Sequence, residues 1–191
     1  MKLILASGSP RRKALMEVFA YPFTVCVSHA DEHMPPELPV AEAVAQVSRR
    51  KALSVPRTPE DTVVAADTVV VCGGKVLGKP ASETEAFEML TALSGNTHQV
   101  MTGMTVLRGD RAVTCTEVTK VFFRPLTPGE IHRYIRSGEP MDKAGAYGIQ
   151  GPAGLFVERI EGDYFNVMGL PICRLGQIFR EIAPEIMEER K

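Results

Sequence analysis

The sequence contains no tryptophan, 6% aromatic residues, four cysteines among 191 residues and no excess of either charge. Each shortage removes a class of function. No apolar run approaches the ~18 residues that a membrane helix needs, so no spanning segment is expected. The first apolar stretch, within Met1–Arg12, is about five residues long, below the ~7–15 of a secretion-signal core. Cys26, Cys72, Cys115 and Cys173 are scattered and form no Cys-x-x-Cys pair. That argues against a zinc knuckle or a disulfide framework and predicts a cytoplasmic protein with four buried structural thiols. Lys and Arg number 22 against 23 Asp and Glu, a formal charge of −1. Bulk attraction to nucleic acid or to an anionic membrane is therefore not expected as the main activity. Any anion site must be built locally from a few placed cations. A Walker A loop, a Gly-x-Ser-x-Gly elbow and the spacing of a Ser/His/Asp triad are also absent.

What is present suits a folded domain: 45% of residues are hydrophobic and 24% charged. The length predicts a single domain over residues 1–191, with two lobes around a cleft. Leu3–Ala6 reads as a short buried strand. Ser7-Gly8-Ser9-Pro10 turns into a helix reaching about Phe19, with Ser9 as N-cap and Pro10 in the first turn. Phe23–Val27 reads as a strand, His29–Pro39 as a loop and Ala41–Val55 as a helix. Thr62–Val71 is a β-branched strand, followed through Gly73-Gly74 by a short strand at Val76-Leu77. A capping box of Ser82 and Glu85 opens a helix to Leu93. His98–Leu107 and Ala112–Phe123 form an expected antiparallel pair. Thr127 and Glu130 open a helix ending at Gly138. Leu155–Ile160 and Tyr164–Met168 read as a hairpin, and a last helix lies between Pro171 and Pro184. The mixture predicts an α/β fold, a mixed twisted sheet with flanking helices.

Several residues stand where bare structure gives them no reason to be. Arg11 and Arg12 occupy the first turn of a helix, the positive end of its dipole, where cations are unfavourable by a few tenths to ~1 kcal/mol each. With Ser7, Ser9 and backbone N–H groups they make sense around a phosphate; a solvated basic turn is the alternative. Asp67 interrupts Val63–Val71, and a carboxylate in so apolar a strand costs several kcal/mol to bury unless it is paired or binds metal. Acid–base work, metal binding and a structural ion pair are all open to it. Lys51 falls on the face of Val40, Val44 and Val47, so it either snorkels to solvent or points into a site. Lys79, held before Pro80, is a second placed cation. Asp142–Gly151 is glycine-rich, which lets backbone approach a ligand, and Gln150 there offers a donor and an acceptor to a base edge. His29 and His33 are not expected to hold zinc, because their Pro-rich stretch is not helical; Glu32 beside them is a hard oxygen ligand suited to Mg²⁺ or Mn²⁺. For His98 a structural hydrogen bond and a functional role are both open. This inventory predicts an enzyme acting on a polyanionic small molecule, with phosphoanhydride hydrolysis as the fitting reaction.

Leu5–Arg12, Ala66–Val70, Gly78–Pro80, Leu93–Val100, Asp142–Gly151 and Val167–Pro171, in that order, carry a resemblance to a known family. The chain resembles, nearly end to end, the Maf proteins, nucleoside triphosphate pyrophosphatases historically linked to septum formation. The resemblance implies a fold similar to that of inosine triphosphate pyrophosphatases, and cleavage of a nucleoside triphosphate to the monophosphate and pyrophosphate with Mg²⁺ or Mn²⁺. Asp67 matches the position of the proton acceptor. Arg11, Thr68 and Gln150 match positions tied to nucleobase choice, with identities like those of the subgroup acting on dTTP and UTP. Ser7, Arg12, Glu32, Lys51 and Lys79 match other cleft positions, and Asp67 with Glu32 is the expected metal pair. The rival expectation is a nucleotide-sensing regulator of septum formation without turnover. Asp67 speaks against it, since an anion sensor gains nothing from a carboxylate facing a triphosphate. A homodimer is the candidate assembly, which the sequence does not decide.

Overall fold

A computed structural model describes residues 1–188. Seven strands, β1 (Leu3–Leu5), β2 (Phe23–Val25), β3 (Thr62–Cys72), β4 (Lys75–Leu77), β5 (Thr97–Arg108), β6 (Arg111–Phe123) and β7 (Val157–Glu161), form one sheet. Their order is β2-β1-β3-β5-β6-β7, with β4 pairing β3. The sheet is mixed: β1 runs parallel to β2 and β3, whereas β4 is antiparallel to β3 and β7 to β6. Among the described residues six α-helices accompany it: α1 (Pro10–Glu17), α2 (Val40–Ser54), α3 (Glu83–Leu93), α4 (Pro128–Ile135), α5 (Tyr164–Met168) and α6 (Ile172–Ile182). This is the expected α/β class. Among the described residues no helix is long and apolar enough to cross a membrane.

The chain divides into two compact units. The first takes Met1–Asp67, Thr102–Glu117 and the chain from Gly169 onward. Here β1 is buried at every residue, as suits a strand with parallel neighbours on both sides. Ala43, Val44, Val47, Lys51 and Ala52 are buried along one face of α2. Leu175, Ile178, Phe179 and Ile182 recur at helical spacing on α6, and Phe179 meets the Phe19 ring edge-on at 5.0 Å. The buried hydroxyls of Ser48 and Thr105 are satisfied in a chain that ends on exposed Thr114: Ser48 Oγ lies 2.8 Å from Thr105 Oγ1, which lies 3.0 Å from Thr114 Oγ1.

The second unit takes Thr68–Met101 and Val118–Met168. Its core joins Val70, Leu90, Leu93, Val121, Phe123, Ile131, Tyr134, Tyr147 and Phe156. At its centre His98 is 1% exposed, with Nε2 2.8 Å from the Tyr147 hydroxyl and, among the described residues, no hydrogen-bond partner at Nδ1. Burial pushes its pKa down from 6.5 to about 4. The folded chain therefore excludes a proton that the unfolded chain binds below about pH 6.5. The stability due to neutral His98 is complete above about pH 6.5 and declines as pH falls towards 4, by roughly 2 kcal/mol at pH 5 and about 3 kcal/mol at the plateau. Urea unfolding at pH 7 and pH 5 should show wild type losing about 2 kcal/mol more than His98→Gln. Equal losses would mean that the fold does not hold this imidazole neutral.

Four expectations need correction. Tyr164–Met168 is helix α5, not the second strand of a hairpin. The Asp163 carboxylate accepts the Phe165 N–H at 2.8 Å and starts the helical turn, and Asn166 is drawn inward to donate to the Val100 carbonyl and Thr119 Oγ1 at 3.0 Å each. The Ser82 box is only half made. Ser82 Oγ accepts the Glu85 N–H at 3.1 Å, but Glu85 reaches back one residue further, to the Ala81 N–H at 2.6 Å. The box at Thr127 and Glu130 is complete, but α4 stops at Ile135, and Gly138 comes three residues later in a left-handed turn with φ 75°. Finally, Cys173 is exposed and the other three thiols are only half-buried, because Cys173 lies off the apolar stripe of α6.

Candidate active site

The first turn of α1 is built as its sequence suggests. Ser9 caps it, accepting the Arg12 N–H at 3.4 Å, and Ser7 Oγ accepts the Ser9 N–H at 3.2 Å. The Arg12 side chain then turns back across the turn. Its Nε donates to the Gly169 carbonyl at 2.7 Å, and its Nη1 donates to the Ala66 carbonyl at 2.8 Å and to Ser7 Oγ at 3.3 Å. Burial pushes the Arg12 pKa below its ordinary value; Asp67 and Glu32 oppose this, while the neighbouring Arg11 adds to it. A guanidinium stays charged even so.

Through Ala66 this clamp reaches the next residue, Asp67. Val63–Ala66 are fully buried in β3, and exposure begins at Asp67, whose side chain is 16% exposed. Asp67 Oδ1 receives a hydrogen bond from Lys51 Nζ at 2.7 Å. The same Nζ lies 2.8 Å from Glu32 Oε1. The buried lysine on an apolar stripe and the carboxylate in an apolar strand are thus each other's partner. Lys51 does not snorkel to solvent. Among the described residues, Asp67 Oδ2 makes no hydrogen bond or ion pair.

Glu32 comes from the irregular segment after β2, where Asp31 accepts the His33 N–H at 2.9 Å and faces Arg50 at 3.9 Å. His29 and His33 are exposed. Among the described residues no group of three or more His, Cys, Asp or Glu could hold a metal ion. The pair of Asp67 and Glu32 nevertheless fits a hard cation in kind. Both carboxylates approach one cationic centre, and Mg²⁺ commonly takes only one or two carboxylates besides water and substrate phosphate.

The structure gathers Ser7, Arg12, Glu32, Lys51 and Asp67 in the first unit, with Arg11 half-buried beside Arg12 on α1. Thr68, Lys79 and Gln150 belong to the second unit. Thr68 follows Asp67 in β3 and is half-buried. Lys79 is exposed between buried Pro80 and Gly78, whose carbonyl accepts the Gly145 N–H at 2.9 Å. Gln150 is exposed two residues after Gly148 and one before Gly151. The sequence did not announce the carbonyls of Ala66 and Gly169 as holders of Arg12. For Gly169 a signal existed, a glycine ahead of Leu170-Pro171; its φ is 108°, which side chains rarely adopt.

A family profile described as Maf-like protein matches residues 2–182. The chain belongs to the Maf family. Two curated relatives, each named dTTP/UTP pyrophosphatase, support the assignment. The protein from Halalkalibacterium halodurans is 52% identical over 173 residues, 90% of this chain and 91% of the relative. The one from a Geobacillus species is 53% identical over 174 residues, 91% of this chain and 94% of the relative. A solved HAM1 protein from Coxiella burnetii matches 95% of this Maf chain and 99% of its own, at 13% identity and a TM-score of 0.49.

Proposed function

We propose that this Maf chain hydrolyses dTTP and UTP to the nucleoside monophosphate and pyrophosphate. The observation that carries the substrate is the identity of about half of all residues with proteins named for that activity, over 90% of this chain or more. The clustering of a clamped arginine, a buried lysine and two carboxylates supports the reaction class. Phosphoanhydride cleavage needs cations to hold charge and a base to take a proton from water.

Asp67 Oδ2 is the proposed base. Lys51 holds Oδ1, fixing the carboxylate's direction, and leaves Oδ2 to accept the proton of the attacking water. Arg12 fixes the backbone on which Asp67 stands and adds positive charge beside it, and Ser7 holds Arg12. Asp67 and Glu32 would hold Mg²⁺ or Mn²⁺, which when bound polarises the phosphate and acidifies water. Arg12, Lys51 and Lys79 are the cations assigned to the triphosphate. Arg11, Thr68 and Gln150 are assigned to the base, with Gln150 offering one donor and one acceptor to a pyrimidine edge. The proposed setting is the cytoplasm, with a homodimer as the expected assembly.

The test is a hydrolysis panel of canonical nucleoside triphosphates with Mg²⁺ or Mn²⁺, resolving monophosphate and pyrophosphate from diphosphate and phosphate. Pyrophosphate from dTTP and UTP, with little from purine nucleotides, is expected. Tight nucleotide binding without turnover under either metal would move the protein to the sensing class.

A further inference from the structure

Gln150 is exposed and sits on a glycine-rich stretch, a combination that ordinarily leaves a side chain poorly placed. In this chain the backbone on both sides of it is braced from below. On the N-terminal side, the Gly148 N–H donates to the Tyr134 hydroxyl at 3.1 Å. Tyr134 is a core residue of α4, 4% exposed, with its ring edge-on to Phe156 at 5.3 Å, so its hydroxyl is a fixed point. On the C-terminal side, a Cβ on Gly151 would fall 2.2 Å from Glu139 Oε1. A Cβ on Gly148 would fall 3.1 Å from the same oxygen and 2.6 Å from Lys143 Cε. The Glu139 carboxylate therefore lies directly against the backbone of both glycines that flank Ile149-Gln150. It also lies beside the Tyr134 hydroxyl, whose pKa is raised first by burial and further by Glu139. Lys143 closes the brace from behind, its Nζ donating to the Glu139 carbonyl at 2.7 Å.

Gly151 has φ −95° and ψ −159°, a conformation open to any residue. Backbone freedom is therefore not why glycine stands there. The requirement is room for the Glu139 carboxylate.

From this we infer that Tyr134 and Glu139 are positioning residues for nucleobase selection: together they fix the backbone on either side of Gln150, so that its amide meets the base edge in one orientation. Neither residue touches the base. The inference rests on the proposed pyrimidine pyrophosphatase activity and on Gln150 as the base-reading residue. It explains why a selective side chain is carried on so glycine-rich a segment. Selectivity by hydrogen bonds needs a fixed donor and acceptor, and a freely moving amide would pair with several bases.

The test measures kcat and KM for UTP, dTTP, GTP and ATP in wild type, Tyr134→Phe and Glu139→Gln, with thermal midpoints alongside. Both variants should raise KM for UTP and dTTP more than they lower kcat. The ratio of pyrimidine to purine kcat/KM should fall by about tenfold, the scale of one well-placed hydrogen bond. Gly151→Ala, which displaces the Glu139 carboxylate without straining the backbone, should reproduce the shift. An unchanged ratio in variants that fold, whether activity is retained or reduced equally for all four nucleotides, overturns the inference and leaves only a structural role. If Tyr134→Phe does not fold, Glu139→Gln and Gly151→Ala decide the question. Wild type that turns over neither UTP nor dTTP overturns the proposed activity and this inference together; active, selective wild type with unshifted variants overturns the inference alone.

Discussion

Asp67→Asn is expected to lower kcat for dTTP and UTP by about 10²–10⁴-fold, the usual cost of losing a positioned acid–base group. Nucleotide binding should remain largely intact. The substitution is informative because it changes little else. Asparagine keeps an oxygen at the Oδ1 position, where Lys51 Nζ donates at 2.7 Å, so the contact survives as an ammonium–amide hydrogen bond. Lys51 also retains Glu32 at 2.8 Å, so its charge is not stranded. What disappears is the negative charge and the Oδ2 lone pairs, replaced by an amide that can only donate. Stopped turnover with retained dTTP binding therefore separates the chemistry from the cradle. The same variant tests Asp67 as a metal ligand, since an amide is the weaker donor to Mg²⁺; added Mn²⁺ that restores turnover would assign the residue to the metal rather than to the proton. Turnover within about threefold of wild type would exclude either role.

How far this site was readable in the sequence differs from residue to residue. Asp67 and Lys51 were each conspicuous alone, one a charge in a β-branched strand, the other a charge on an apolar helical face. Local spacing shows that such groups need partners. It does not name the partner, because the pairing joins α2 to β3 and depends on how the helix lies on the strand. The start of α1 was fully readable, since a cap and a first-turn proline act within a few residues. Arg12 was readable as a cation but not as a clamp, because its acceptors are carbonyls, which every residue carries. Tyr164–Met168 is ambiguous in sequence because a mostly apolar run of five residues fits a strand and a helical turn equally; the Asp163 side chain and the buried bonds of Asn166 make the choice. Tyr134 and Glu139 left the faintest trace. The glycine-rich stretch said only that backbone can come close to something; in the structure the Glu139 carboxylate lies against Gly151, and the Lys143 side chain with Glu139 Oε1 against Gly148.

Gly103→Ala is expected to be strongly destabilising to the first unit. Gly103 lies within β5, where glycine normally weakens a strand and is kept only when another backbone comes close. Here that backbone is α2. A Cβ at position 103 would fall 2.4 Å from the Val44 carbonyl oxygen, 2.5 Å from its carbon and 2.6 Å from the Ala45 nitrogen. None of these atoms can rotate away, so the helix itself would have to move. Doing so would pull Ser48 Oγ from its 2.8 Å contact with Thr105. It would also shift Lys51, two turns further along the same face of α2, away from Asp67. A loss of about 3 kcal/mol follows, the upper end of what overpacking typically costs, because the atoms met are backbone. For a chain of this length that lowers the thermal midpoint by roughly 6–12 °C. Gly78→Ala is the control, because a Cβ there would meet nothing within 4 Å, and its midpoint should stay near wild type. If Gly103→Ala melts with the control, α2 does not rest on β5 as described. If it melts early, and its folded fraction at low temperature is also slow on dTTP, the close approach of helix to strand is what places Lys51 on Asp67.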